Sequence, residues 1–321
     1  MKVQNPPLDP ESVRQMHELW LAVFGSDFVS DVLDDVLYGE ENHWNRTNIY
    51  RHISEEQAIS TAIVISPFAL PSLGGLGEVS TDTRFRGKGL ATRICKQLVE
   101  DCQSTEGLAL FLGTVNPDAA RIYERLGWQH INGSKLMVNL SGSDDYDDFI
   151  RRYFATSSPS QICRAKPASR IPIIPLVLFP HTWSILDSNI SLYSTNAEPQ
   201  LSCLGLYRRY DYLRTHCQGE WFTLITEEAK VLGISSAVYK GDNRYQVDGF
   251  CHPDHDFFIR LIQTAVNWCK AKKAVEIRFN VSKQDKNKEN LVRDVGFRTM
   301  EEEAYLKSGN RKTRTLLYST V

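Results

Sequence analysis

The sequence contains no apolar run near the roughly 20 residues needed to cross a bilayer, so a membrane-spanning reading is set aside. Its start, Met1 to Pro10, has no basic stretch leading into an apolar segment, and no secretory signal is read there. Charge of one sign is not in excess either. Lys and Arg number 37 against 39 Asp and Glu, giving a formal net charge of −2. A nucleic-acid partner would ordinarily need a basic domain or stripe, and none is present. The seven cysteines, an odd number at 95, 102, 163, 203, 217, 251 and 269, include no C-x-x-C pair. Reduced thiols in a cytoplasmic protein are the simplest account.

What is present is length and pattern. With 321 residues, 42% of them apolar, the chain can form two domains of ordinary size. Val13, Met16, Leu19, Trp20 and Val23 recur at helical spacing, and Ser30–Leu37 reads as a second helix. Residues 58–65 and 76–80 read as strands, followed by a glycine-bearing turn and a helix with Leu90, Ile94 and Leu98 on one face. The apolar run 108–112 reads as a buried strand, 118–126 as a short helix, and 128–140 as a hairpin turning at Asn132-Gly133. The first half is therefore α/β with a mixed sheet. A helix opened by Ser141 runs to about Phe154, and a Ser/Pro-rich linker follows. The expected division is a first domain at 1–155, a linker at 156–169 and a second domain at 170–321. The second half repeats the strand–helix–strand–helix–Gly-aromatic order of residues 76–128, so an internal duplication is the economical explanation.

The segment Gly-Glu-Val-Ser-Thr-Asp-Thr-Arg-Phe-Arg-Gly-Lys-Gly-Leu-Ala (77–91) is a strand-to-helix turn. Backbone N–H groups at such a helix start point outward at the positive end of the dipole. Gly87 and Gly89 remove side chains that would hold an anion away, and Arg84, Arg86 and Lys88 add positive charge. Together these features suit a pyrophosphate. The plainer reading is a helix start with solvated charges. The turn lacks the Gly-Lys-Ser/Thr of a nucleoside-triphosphate loop and the G-x-G-x-x-G of a dinucleotide fold.

Arg84-x-x-Gly87-x-Gly89 resembles the Q/R-x-x-G-x-G/A signature of the GCN5-related N-acetyltransferase (GNAT) family. About 30 residues on, Asn116-Pro-Asp-Ala119-Ala-Arg-Ile-Tyr123-Glu-Arg-Leu-Gly127-Trp128 resembles that family's second hallmark, N-x-x-A-x-x-x-Y-x-x-x-G-F/W. The match covers roughly residues 10–140. It implies a twisted, mostly antiparallel mixed sheet with helices on both faces, acetyl-coenzyme A as cosubstrate, no metal, and acyl transfer to a primary amine. It also implies coenzyme contacts at Val79, Thr81, Arg84, Arg86, Gly87, Lys88, Gly89, Leu90, Ala91, Asn116 and Ala119. The pantetheine arm would lie between strands 76–81 and 108–114.

In such a reaction a neutral amine attacks the thioester, so a base must take its proton and an acid must assist the leaving thiolate. Tyr123 holds the family position for that acid; otherwise it is a core aromatic. Glu78, on the strand entering the loop, is the candidate base; otherwise it faces solvent or pairs with an arginine. Asn116 binds pantetheine, caps its helix, or does both. The acidic stretch Asp34, Asp35, Glu40 and Glu41 either recognises the acceptor amine or is a solvated face. Polyamine, aminoglycoside, amino acid, peptide N-terminus and protein lysine all stay open as acceptors. A non-catalytic acyl-coenzyme A sensor is the alternative function.

The second half resembles a GNAT domain whose coenzyme site has decayed. Aligning Gly296-Phe297 on Gly127-Trp128 puts Val292 at Tyr123 and Asp285 at Asn116, while His252-Pro-Asp-His-Asp replaces the phosphate turn. An acidic turn would repel pyrophosphate, so this half is expected to complete the acceptor pocket or to brace the first domain. Cys251, His252, Asp254, His255 and Asp256 are contiguous on one turn and have no second ligand cluster, which argues against a metal. Arg311-Lys312-Thr313-Arg314 reads as a solvated hairpin turn.

Overall fold

The computed structural model describes all residues except 31–33, 106, 143–144, 156–157, 255, 309–310 and 320–321, and only the backbone at 34–35, 301–304, 307–308 and 311–312. The chain divides into two compact units. The first comprises Met1–Arg152 with two later segments, Lys166–Ile171 and Leu201–Leu206; the second is the remainder. Each unit is mixed α/β around a seven-stranded sheet.

In the first unit the chain runs through β1 (Lys2–Gln4), α1 (Pro10–Phe24), α2 (Asp34–Leu37), β2 (Asn45–Ser54), β3 (Gln57–Pro67), β4 (Leu73–Thr81), α3 (Leu90–Ser104) and β5 (Ala109–Gly113). It continues through α4 (Pro117–Arg125), β6 (Trp128–His130), β7 (Leu136–Leu140) and α5 (Tyr146–Ala155), the last of which reaches past the unit boundary. The sheet order is β1-β2-β3-β4-β5-β7-β6, antiparallel except for the central pair β4/β5. Helix α1 starts where the sequence dictates: the Asp9 carboxylate accepts from the Ser12 N–H at 2.9 Å, and Pro10 opens the first turn. Its Val13, Met16, Leu19 and Trp20 are buried, as their spacing predicts. Helix α3 buries Leu90, Ile94, Cys95 and Leu98. Each full burial of such an aliphatic chain contributes about 1.5–3 kcal/mol, which seats the helix start beside the end of β4.

The second unit contains β8 (Pro159–Arg164), α6 (Ile173–Leu178), β9 (Ile185–Asp187), β10 (Leu192–Tyr193), α7 (Gly205–His216), β11 (Glu220–Thr226), β12 (Val231–Tyr239) and β13 (Arg244–Cys251). After these come α8 (Phe258–Ala271), β14 (Glu276–Ser282), α9 (Lys286–Asp294), β15 (Arg298–Ser308) and β16 (Arg311–Ser319). Read from β8, the sheet order is β8-β11-β12-β13-β14-β16-β15, and β13/β14 is its parallel pair. The topology of the first sheet recurs strand for strand. Two expectations change. Strand β8 lies within the stretch read as linker, because Pro-Ser-Gln-Ile-Cys-Arg is a half-exposed edge strand with little alternation and a proline at its first position. The basic tail from Arg311 belongs to β16 rather than to a turn.

In both sheets the parallel pair is registered over four residues, Leu73–Leu76 with Ala109–Leu112 and Arg244–Val247 with Glu276–Phe279. Beyond Val247 the second unit is occupied by its own chain. Lys288, fully buried on α9, donates to the Asp248 carboxylate at 2.7 Å and to the Ile185 and Leu186 carbonyls at 3.0 and 2.9 Å. The Asp285 carboxylate accepts from the Ser184 and Ile185 N–H groups, and Asp248 from the Ser188 N–H. Asp187 lies in the same buried cluster. Burial and then the Asp248 charge push its carboxyl up to about 7, against the Ser236 hydroxyl, the Asn189 N–H and Lys288. Between 3.8 and about 7 the unfolded chain releases this proton while the folded chain keeps it, so stability falls as pH rises through that window. Urea unfolding of Asp187→Asn followed across the window is expected to show a flatter pH dependence than wild type; an unchanged slope would assign the pH dependence to other groups.

Candidate active site

Strand β4 ends at Thr81, and Asp82 caps a single 3-10 turn at Thr83–Phe85, accepting from the Arg84 N–H at 2.9 Å. The Arg84 guanidinium folds back on the same carboxylate at 2.6 Å and holds its pKa below the usual range. Gly87 and Gly89 follow at φ +75° and +70°, a left-handed conformation that costs other residues about 1–2 kcal/mol each. Gly89 is the N-cap of α3 and has no side chain with which to cap it. In consequence the six consecutive N–H groups from Gly87 to Thr92 find no acceptor among the described residues. Six orphan donors at the positive end of a 15-residue helix form a ready cradle for an anion.

Past Leu76 and Leu112 the registered pairing of β4 with β5 ends, and a cavity of about 990 Å³ lies beside both strands. Ligand pockets commonly span about 300–1,000 Å³, so this one is roomy enough for an extended cofactor. Of the positions expected to serve the coenzyme, Val79, Thr81, Arg86, Gly87, Gly89, Leu90, Ala91, Asn116 and Ala119 line it, together with Glu78 and Tyr123. Arg84 and Lys88 do not; they flank the Phe85 ring at 5.9 and 4.7 Å.

Glu78 sits on a β-bulge. Thr61 is opposite Ser80 but Ile63 is opposite Gly77, and Glu78 takes φ +52°. Thr61 fixes this bulge. Its hydroxyl donates to the Glu78 carbonyl at 2.9 Å, leaving it to accept from Trp20 Nε1 at 2.9 Å and from the Ser80 hydroxyl at 2.8 Å. The Glu78 carboxylate accepts from the Ser30 hydroxyl at 2.5 Å. Tyr123 is 5% exposed and packs on Trp128 at 5.7 Å between centroids. Burial, with a smaller contribution from Cys95, pushes its phenol well above the ordinary value, so it carries its proton at neutral pH. Asn116 caps α4, accepting from the Asp118 and Ala119 N–H groups at 2.9 and 3.4 Å.

Sequence reasoning missed one contributor to this site. Leu201, Ser202, Cys203 and Leu204 line the cavity from a segment far along the chain. Leu204 packs against the bare faces of Gly75 and Gly77, where a Cβ would meet its methyls at 2.6 and 2.5 Å. The glycine-rich start of β4 was the available signal, since glycine inside a strand marks close approach of another chain segment. The neighbouring segment, Lys166–Ile171, is tied down by a buried ion pair. Arg170, 0% exposed, bonds Glu41 through Nη2 and, at 3.1 Å, Nε, while Asn45 Nδ2 reaches Glu41 at 2.8 Å and the Pro167 carbonyl at 3.1 Å.

Glu41 is therefore committed to structure, and neither it nor the exposed Glu40 lines the cavity; the Asp34 and Asp35 side chains lie outside the described residues. His255 of the contiguous Cys/His/Asp turn is also outside them, and no group of three metal-ligating side chains converges among the described residues. Glu41→Gln should remove the carboxylate from this buried ion pair and cost about 3–5 kcal/mol in urea unfolding, whereas Glu41→Leu/Arg170→Met should recover most of that loss. Equal losses in both variants would contradict the ion-pair account.

Residues 48–137 match the family model described as FR47-like protein, which is GNAT-related and includes both motifs, so the resemblance read from those motifs holds over this segment. No curated protein matches the chain. Among solved structures, the ribosomal-protein-S5-alanine acetyltransferase of Vibrio fischeri is similar at 14% identity, with 51% of this chain and 96% of that one covered and a TM-score of 0.39. A GNAT-family acetyltransferase of Staphylococcus aureus Mu50 aligns at 12% identity over 50% and 97%, also at 0.39. The ribosomal-protein-alanine N-acetyltransferase of Brucella melitensis aligns at 13% over 50% and 99%, again at 0.39.

Proposed function

We propose that this chain, GNAT-related over residues 48–137, transfers an acetyl group from acetyl-coenzyme A to a primary amine. The observation that carries the reading is the row of six N–H groups, Gly87 to Thr92, without an acceptor among the described residues, beside the cleft at β4 and β5. The pyrophosphate would lie on those donors with Arg86 beside it, and the pantetheine along Val79, Thr81 and Ala119 toward Glu78. Arg84 and Lys88 would contribute through their field rather than by contact.

Glu78, oriented by Ser30 and by the Thr61-held bulge, takes the proton of the attacking amine. The nitrogen adds to the thioester carbon, backbone donors stabilise the oxyanion, and the carbon–sulfur bond breaks. Tyr123 donates to the sulfur as charge develops there. Its protonated phenol supports this role, and its high pKa makes hydrogen-bond donation to the thiolate its main contribution. The second unit is proposed to carry no coenzyme, since Lys288, Asp248 and residues 184–188 occupy the corresponding place. The unbridged cysteines fit a reducing, cytoplasmic setting.

Titration calorimetry with acetyl-coenzyme A should give one site per chain, lost in Gly87→Glu/Gly89→Glu. Tyr123→Phe should lower kcat about 100-fold while leaving coenzyme affinity nearly unchanged. Binding without thiol release on any amine would favour the sensor. No binding by folded wild type would leave neither.

A further inference from the structure

Resting on that reading, we infer that Leu204 is the specificity-determining residue for the acyl group. It closes the far side of the space between β4 and β5 and limits the thioester to acetyl-sized chains. Three glycines point to this. Gly77 and Gly113 are the first residues past the registered pairs of β4 and β5, and Gly75 lies two residues before Gly77 on the same face.

The segment Leu201–Leu204 crosses the sheet at these bare positions. A Cβ on Gly113 would meet the Leu201 carbonyl oxygen at 2.6 Å and Ser202 Cα at 3.1 Å. One on Gly77 would meet Leu204 Cδ1 at 2.5 Å, and one on Gly75 would meet Leu204 Cδ2 at 2.6 Å and Ile171 Cδ1 at 2.7 Å. Four residues thus form a strap from β5 to β4 where the register between them ends. The strap is held in place. The Gly205 N–H donates to the Ser202 hydroxyl at 3.1 Å, the Leu206 N–H donates to the Cys203 carbonyl at 3.4 Å, and both Cys203 and Leu204 are buried.

Its side of the sheet is the one opposite α3. Leu76 and Leu112 pack with Ile94 and Leu98 of α3 in one core, so strand alternation turns Gly75, Gly77 and Gly113 the other way. Coenzyme held at the start of α3 therefore reaches the strands from one face, and Leu204 stands at the other. An acyl group delivered to Glu78, the neighbour of Gly77, has its carbonyl at the bulge and its remaining carbons directed at the Leu204 methyls. Acetyl ends before them. Each further methylene has to displace a buried leucine seated against two strand glycines and Ile171, and a close-packed interior resists such overfilling.

The test is calorimetric binding of acetyl-, butyryl- and hexanoyl-coenzyme A to the full chain, which needs no acceptor amine. Wild type is expected to favour acetyl over butyryl at least about tenfold, since one methylene in a shaped apolar pocket already discriminates by about that factor. Leu204→Ala should bring the acetyl-to-butyryl ratio near one, and Leu204→Val, which keeps more of the core filled, should narrow it partway. Wild type that binds hexanoyl-coenzyme A as tightly as acetyl-coenzyme A overturns the inference, and so does a ratio unchanged in both variants. Absence of acetyl-coenzyme A binding by folded wild type overturns the acetyltransferase reading itself, which separates the two failures.

Discussion

Beyond Leu76 and Leu112 two parallel strands are no longer registered with each other, and whatever occupies the space beside them decides what each unit can do. A sheet interior does not leave backbone donors and acceptors unserved without compensation. In the first unit the bulge at Glu78 turns β4 away from its regular course, held by the single hydroxyl of Thr61, and the space beyond is a cavity. In the second unit the same topology meets a lysine, two aspartates and an inserted segment that satisfy one another. One arrangement leaves room for a ligand. The other is filled by the chain.

The basic side chains of the turn at 84–89 are more engaged with the protein than its backbone is. Arg84 is engaged by Asp82 and Lys88 by the Phe85 face, whereas the amides of residues 87–92 find no acceptor among the described residues. Exposed cations also contribute little once screened by salt. Positive-φ glycines at 87 and 89 therefore matter for the helix start they shape. A Cβ at Gly87 would meet nothing within 4 Å, so conformation rather than crowding selects glycine there.

Much of this was legible in the sequence, where local rules act alone. The Asp9–Pro10 start of α1, the apolar face of α3, the hairpin at 128–140 and the Asn116 cap follow from spacing and capping chemistry. So did the repeat, because β13, α8, β14 and α9 preserve the pattern of β4, α3, β5 and α4. Illegible were features fixed by distant contacts. Glu41 looked like part of an acidic surface until Arg170, 129 residues away, proved to be its partner. The cavity wall includes Leu201 and Leu204, which no local pattern assigns to the first unit. β8 escaped notice because an edge strand needs little alternation.

The most direct measurement is amide hydrogen exchange of the intact chain with and without acetyl-coenzyme A. The account predicts slowed exchange across Gly87 to Thr92, where bound phosphate oxygens would accept those hydrogen bonds, and no change in the turn between β13 and α8. Unprotected amides at 87–92 in the presence of saturating coenzyme would contradict it.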